Sequence, residues 1–259
     1  MRGAGFEPAK QYVLGPKPSA FDQAWQPPQG CVPPTSLLLI KKTKPVLCVD
    51  EAALARKRML DEQLLSRDIE DERVLEAMQS VPRHVFVPEG IRASAHMDNP
   101  LPIGHDQTIS QPYIVALMTQ LLAKKVPVGG RILEIGSGSG YQTAILVSMG
   151  FEVHCIEVVP ELVEPSRKVL SSIGLKPESM NVGDGHLGMP DKAPYDGILA
   201  AACARKLPKE WRKQLKDGGV IVAPVKRSSG QYLFRWTKQG RALKRENIIP
   251  VRFVPLIKS

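Results

Sequence analysis

Leu133-Glu134-Ile135-Gly136-Ser137-Gly138-Ser139-Gly140-Tyr141 is the stretch on which the fold turns. An apolar strand runs into three alternating glycines, and alanine- and leucine-rich helical sequence follows at once. A strand that becomes a helix over bare backbone lets a ligand touch the main chain. The spacing narrows the ligand. A dinucleotide site reads G-x-G-x-x-G, whereas here the third glycine comes one residue early. An acid, Glu134, stands two residues before the first glycine. A carboxylate there would repel a pyrophosphate and attract the ammonium or sulfonium of S-adenosylmethionine, while that ligand's own carboxylate could meet the helix N-terminus. Taken alone, the motif also fits a tight turn with no ligand.

Strands and helices alternate beyond it. The pattern predicts strands over residues 131–135, 152–156, 179–182, 195–201 and 219–225, with helices over 141–149, 161–172 and 209–215. Pro165 must sit in the first turn of its helix or kink it. The C-terminal part looks antiparallel, with strand-like sequence over 231–236, a turn at Gln239-Gly240, and more strand to Leu256. Upstream, a helix is expected from Asp68, as its cap, to Val81, and another over 111–122 with Pro112 in its first turn. Residues 83–110 show little periodicity and read as a long functional loop. The expected fold is a doubly wound, mostly parallel α/β sheet with helices on both faces and antiparallel C-terminal strands. Ligands bind such sheets beyond the strand C-termini, where strand order reverses.

Three turns that bear acids end three successive strands. Glu134 accompanies Gly136, Gly138 and Gly140. Glu157 follows seventeen residues after Gly140, where a carboxylate can accept both ribose hydroxyls. Asp184 lies in Gly183-Asp184-Gly185 and could reach the amino group of an adenine. Together they describe an adenosine-containing ligand, and the early third glycine with Glu134 favours S-adenosylmethionine over a nicotinamide cofactor. Methyl transfer to a carboxylate needs alignment and partial desolvation but no general base. Residues 101–112 bring hydroxyls and an amide to a helix N-terminus, which suits a carboxylate substrate. By local sequence alone Ser110 reads first as a helix cap, and His105 with Asp106 form either a general-base pair or loop polars.

The whole chain excludes other classes. Its 259 residues hold no apolar run of membrane-spanning length and no early secretory signal. Four scattered cysteines without a C-x-x-C pair argue against a metal site or disulfide framework and for a cytoplasmic setting. Of the net charge of +9, residues 1–58 carry nine Lys/Arg and four Asp/Glu, a net of +5, leaving +4 for the remainder. Composition of this kind more often marks a solvated surface than a nucleic-acid partner. Residues 1–50 are rich in proline without helical or strand period, so residues 1–58 are expected to be a disordered extension, or to precede a native start at Met59, with the methyltransferase domain over 59–259.

The chain resembles the protein-L-isoaspartate (D-aspartate) O-methyltransferase family. The resemblance rests on 101–112 with Gln107-Thr108-Ile109-Ser110, on Val81-Pro82-Arg83 and Phe86-Val87-Pro88, on 133–141, and on Gly183-Asp184-Gly185, Ala193-Pro194-Tyr195-Asp196 and Gly218-Gly219. It implies a Rossmann-like, S-adenosylmethionine-dependent enzyme that methylates the free carboxylate of L-isoaspartyl and D-aspartyl residues in damaged proteins. The ester would then cyclise to a succinimide and reopen partly as aspartate. The resemblance assigns Ser110 to position the substrate carboxylate, and Thr108 and Ile109 to flank the methyl-donor end of the cofactor. The glycine turn would hold the methionyl part, Glu157 the ribose, and Asp184 with Gly185 the adenine. It implies a monomer acting on damaged proteins and peptides, without nucleic acid or membrane. Val115 stands where some members carry histidine and takes no role. An RNA or small-molecule methyltransferase on the same fold is the rival reading, although no base-stacking Asn-Pro-Pro-Tyr run follows the 195–201 strand. A non-catalytic adenosine-binding module is the second rival.

Overall fold

The structure, a computed structural model, describes residues 50–258. All of the proline-rich stretch except Asp50 lies outside them, and so does the disorder expected there. Helix α1 (Glu51–Met59) begins at Asp50, whose side chain accepts the N–H groups of Ala52 and Ala53 at 3.1 and 3.2 Å. Arg56, Lys57 and Arg58 in its last turn complement the helix dipole. Helical structure thus starts eight residues before Met59.

Helix α2 (Glu72–Ser80) is capped by Asp71 and not by Asp68. The reason lies far away in sequence. Gln120, buried on helix α3 (Pro112–Ala123), accepts the N–H groups of Glu70 and Asp71 and donates to the carbonyl of Asp68. Those bonds hold residues 68–71 in a turn and delay the helix. Asp68 instead accepts the Tyr113 hydroxyl at 2.8 Å.

The expected loop over 83–110 is structured. Two 3-10 helices (Arg83–Phe86 and Glu89–Ser94) lead into a hairpin of β1 (Leu101–Gly104) and β2 (Gln107–Ile109). His105 and Asp106 form its two-residue turn with φ of 52° and 55°. Two successive left-handed residues define the turn type whose twist matches paired strands. Strands of three and four residues are too short to display an alternation, so sequence periodicity misses them.

The main sheet contains β3 (Arg131–Ile135), β4 (Glu152–Glu157), β5 (Ser179–Val182), β6 (Tyr195–Ala200), β7 (Leu215–Arg227), β8 (Gly230–Gln239) and β9 (Ala242–Val251). Their order is β5-β4-β3-β6-β7-β8-β9, parallel through β7 and antiparallel beyond. The chain leaves β3 toward β4 and β5, then returns to β6 on the other side of β3. That reversal makes the β3/β6 boundary the switch point where a ligand site forms.

Helices α4 (Tyr141–Ser148) and α5 (Pro160–Ser172) pack with α3 on one face, and α6 (Lys209–Gln214) lies on the other. The parity of β3 shows the division. Ile132 joins the cluster containing Leu122 and Ile145, whereas Leu133 and Ile135 join the cluster around Trp211. Pro165 sits in the second turn of α5 and not the first. Among the described residues no helix is long and apolar enough to cross a membrane.

The hairpin turn yields a test. Asn-Gly suits two left-handed positions better than His-Asp. The His105→Asn/Asp106→Gly variant should gain about 1 kcal/mol of stability, measured by urea unfolding, and a loss would contradict the turn geometry.

Candidate active site

A cleft opens along the carboxyl ends of β3, β4 and β6. Its walls include Gly136–Ser139, Glu157, Gly185, Ala201 and Ala202, with Thr108, Ile109 and Ser110 opposite and Val254–Ile257 along one side. The glycine turn is where sequence reading put it. Gly136, Gly138 and Gly140 have φ of 80°, 50° and 87°, a region that favours glycine. A Cβ on Gly140 would also press Leu170 at 3.3 Å.

Glu157 is 4% exposed and holds this turn to the end of β4. Its Oε2 accepts the Gly138 N–H at 2.8 Å. Its Oε1 accepts the N–H groups of Val158 and Val159 at 2.8 and 3.0 Å. Each carboxylate oxygen can accept more than one bond, so both still have capacity for a hydroxyl on the cleft side. Gly185 lines the cleft closely, since a Cβ there would meet Ile135 Cγ2 at 2.6 Å. The Trp211 indole fixes it from behind by donating to its carbonyl at 2.8 Å.

Two expected contacts fall behind the wall. Glu134 is fully buried and does not line the cleft. Strand alternation turns it away from the face of Leu133 and Ile135 and under the first turn of α4. There Oε2 accepts the Thr143 hydroxyl at 2.6 Å and lies 3.5 Å from the Cys155 sulfur, while Oε1 has no partner. Asp184 also stays off the wall. Its Oδ1 accepts the His186 N–H and lies 2.8 Å from His186 Nδ1. Burial alone would raise the Asp184 carboxyl, but the His186 bonds hold it below its usual range.

Ser110 borders both this cleft and a second groove lined by Ile114, Pro250, Arg252 and Phe253. Thr108, Ala201 and Val254 are shared in the same way. The helix-cap alternative for Ser110 does not hold, because Gln111 takes the cap position of α3 with no side-chain bond. Asp98 serves that helix end instead. Its Oδ1 accepts the Tyr113 N–H at 3.4 Å, and its Oδ2 accepts Gln111 Nε2 at 2.9 Å. His105 and Asp106 lie in the hairpin turn and do not line the cleft.

Two further residues escaped sequence reading. Ser137, 5% exposed in the cleft wall, has a hydroxyl with no partner. Arg83 is completely buried. It donates to the carbonyls of Ala95 at 2.6 Å and Ser110 at 2.7 Å and packs 4.7 Å from the centre of the Tyr141 ring. Burial pulls its pKa down, opposed by Tyr141. It thereby ties the Ser110 backbone to the first residue of α4. Nothing local signals this, since its partners lie 12 and 27 residues away.

Residues 55–259 match the family model for protein-L-isoaspartate(D-aspartate) O-methyltransferase. The chain belongs to this family. The protein-L-isoaspartate O-methyltransferase of Opitutus terrae is 46% identical over 225 residues, covering 86% of this chain and 96% of that one. Its namesake from Trichlorobacter lovleyi is 49% identical over 205 residues, covering 79% and 94%. Among solved structures, a Plasmodium falciparum beta-aspartate methyltransferase in complex with S-adenosyl-L-homocysteine superposes with a TM-score of 0.70 at 25% identity, over 79% of this chain and 99% of the other. The methyltransferase uses S-adenosylmethionine, and its residues fit that cofactor. The unpartnered Ser137 hydroxyl and the open glycine backbone suit a methionyl group, and the spare acceptor capacity of Glu157 suits a ribose.

The buried Glu134 sets a pH dependence. Burial pushes its carboxyl up from 4.5 to about 7, although the Thr143 and Cys155 bonds act against the rise. The folded protein then keeps a proton that the unfolded chain has released, so stability falls as pH climbs through that window. Glu134→Gln stays neutral and should flatten the decline. Relative to the variant, the wild type should lose about 3 kcal/mol between pH 4.5 and about 7. Urea midpoints across this range measure it, and parallel curves would refute it.

Proposed function

We infer that the cleft carries out S-adenosylmethionine-dependent methyl esterification of the side-chain carboxylate of L-isoaspartyl and D-aspartyl residues, the step that opens repair of damaged proteins. The observation that supports the residue roles is that Ser110 and Thr108 border two adjoining grooves, one for the cofactor and one for a polypeptide. S-adenosylmethionine supplies the electrophilic methyl group and departs as S-adenosylhomocysteine. The rest is alignment, because a carboxylate is already a nucleophile at neutral pH.

Ser110 donates its hydroxyl to the substrate carboxylate and holds one oxygen toward the methyl group. Arg83, through the Ser110 carbonyl, fixes that serine. Thr108 and Ile109 close the methyl-donor end and keep out water. The glycine turn Gly136-Ser137-Gly138-Ser139-Gly140 holds the methionyl part, with Glu134 steadying the helix start beneath it. Glu157 takes the ribose hydroxyls. Gly185 offers its backbone to the adenine, and Asp184, bonded to His186, holds the shape of that turn from behind. The proposed setting is the cytoplasm, where a monomer acts on damaged proteins and peptides without nucleic acid, membrane or metal.

Two variants separate the grooves. Ser110→Ala should lower kcat/KM on an isoaspartyl peptide by roughly 10- to 100-fold, with calorimetric affinity for S-adenosylhomocysteine within about twofold. Unchanged turnover would remove Ser110 from the site. Glu157→Ala should weaken S-adenosylhomocysteine binding and abolish the wild-type preference over its 2′-deoxy analogue. If the variant still prefers the hydroxylated ligand, the ribose contact is wrong.

A further inference from the structure

The charge of the folded part is divided sharply along the chain. Residues 59–204 carry eleven Lys/Arg and nineteen Asp/Glu, a net of −8, whereas residues 205–259 carry fifteen and three, a net of +12. Five of these cations, Arg205, Lys206, Lys226, Arg227 and Arg245, line one groove continued by a second that shares Arg227 and Arg245. All five are exposed, and none forms an ion pair with a described residue. No carboxylate lines either groove, and the remaining polar lining is Ser228, Ser229, Tyr232 and Asn247. Cations left without partners lower their mutual repulsion when an anion binds.

The groove shares its edge of the sheet with the active site. β7 runs parallel to β6 and ends at Arg227, so its last residues face the side on which Ala201 lines the cleft. On β8, Gln231 pairs with Lys226 on one flank and Val251 on the other. Two strand spacings, about 10 Å, therefore separate the Lys226 backbone from that of Val251, which lines the groove beside Ser110 together with Arg252.

We propose that this basic groove docks an acidic segment of the polypeptide being methylated. The proposal rests on the substrate carboxylate lying at Ser110. Roughly three extended residues span those two backbones, so acids several residues from the damaged one reach the groove. A nucleic acid fits less well, because binding single strands relies on exposed rings for base stacking. Here Phe234 and Trp236 are only 4% and 6% exposed, Arg245 lies over the Phe234 ring at 5.3 Å, and Tyr232 alone among the lining rings is half-buried.

The test uses the full chain and matched isoaspartyl peptides. One carries glutamines in both flanks. The others carry glutamates roughly three to eight residues to the N-terminal or the C-terminal side. At low salt, one acidic peptide should show a KM about tenfold below that of the glutamine peptide, with similar kcat. High salt should erase the difference. The Lys226→Glu/Arg227→Glu variant should erase it too, leaving the glutamine peptide's KM unchanged. Equal KM values in the wild type, or a preference that survives in the variant, would overturn the groove while leaving the esterification reading intact. Failure of every isoaspartyl peptide to be methylated would overturn both. Displacement of the acidic peptide by a single-stranded RNA of equal charge, at lower concentration, would assign the groove to nucleic acid instead.

Discussion

The bond from the Gly138 N–H to Glu157 Oε2 joins the turn after β3 to the end of β4. Much else depends on it. A turn of three left-handed glycines has little stiffness of its own, since each can leave that region without steric cost. A buried carboxylate that accepts one N–H from this turn and two from its own strand end gives the turn one position. The same residue then faces the cleft with acceptor capacity to spare. On the proposed ribose role, support and recognition lie on one side chain, and a substitution at Glu157 acts on both.

Position along the strand explains how the acids divided their work. Glu134 and Glu157 both end strands, and in sequence they look like equivalent ligands for an adenosine compound. Glu134 belongs to the alternation that points under α4, so it meets Thr143 and an apolar surrounding that favours its protonated form. Glu157 lies where the strand gives way to a turn, and there its carboxylate reaches backbone donors near water. The position along the strand, rather than the residue type, separates a brace from a wall.

The parallel strands and their helices were legible because each is buried on one or both faces and carries its period in plain view. The glycine turn, Glu157 and Gly185 were legible for a related reason, as the chemistry depends on residue types at fixed spacing. Ser110 was legible only through the family's Gln-Thr-Ile-Ser block. Local rules made it a cap, and they failed because Asp98, far outside the local window, serves that helix end. Asp68 misled in the same way, since Gln120 on a different helix decides where α2 begins. Arg83 belonged to the Val81-Pro82-Arg83 segment of the family resemblance but carried no role there, because that role exists only once residues 12 and 27 positions away fold onto it. What sequence hid was the set of long-range polar contacts, which have no period.

One stretch of the cofactor cleft is walled by main chain and small side chains: the glycine turn, Gly185, Ala201 and Ala202. A surface of this kind has few side chains to lose. Drift elsewhere in the chain leaves it intact, and damage comes chiefly from additions, such as a Cβ at Gly185 or at a glycine with positive φ. That stretch of the cleft is thus protected against gradual change, while the groove beyond Ser110, with Ile114, Arg252 and Phe253 in its lining, is free to diversify. On the proposed assignment of the two grooves, a lineage can alter which polypeptides it serves without renegotiating its methyl donor.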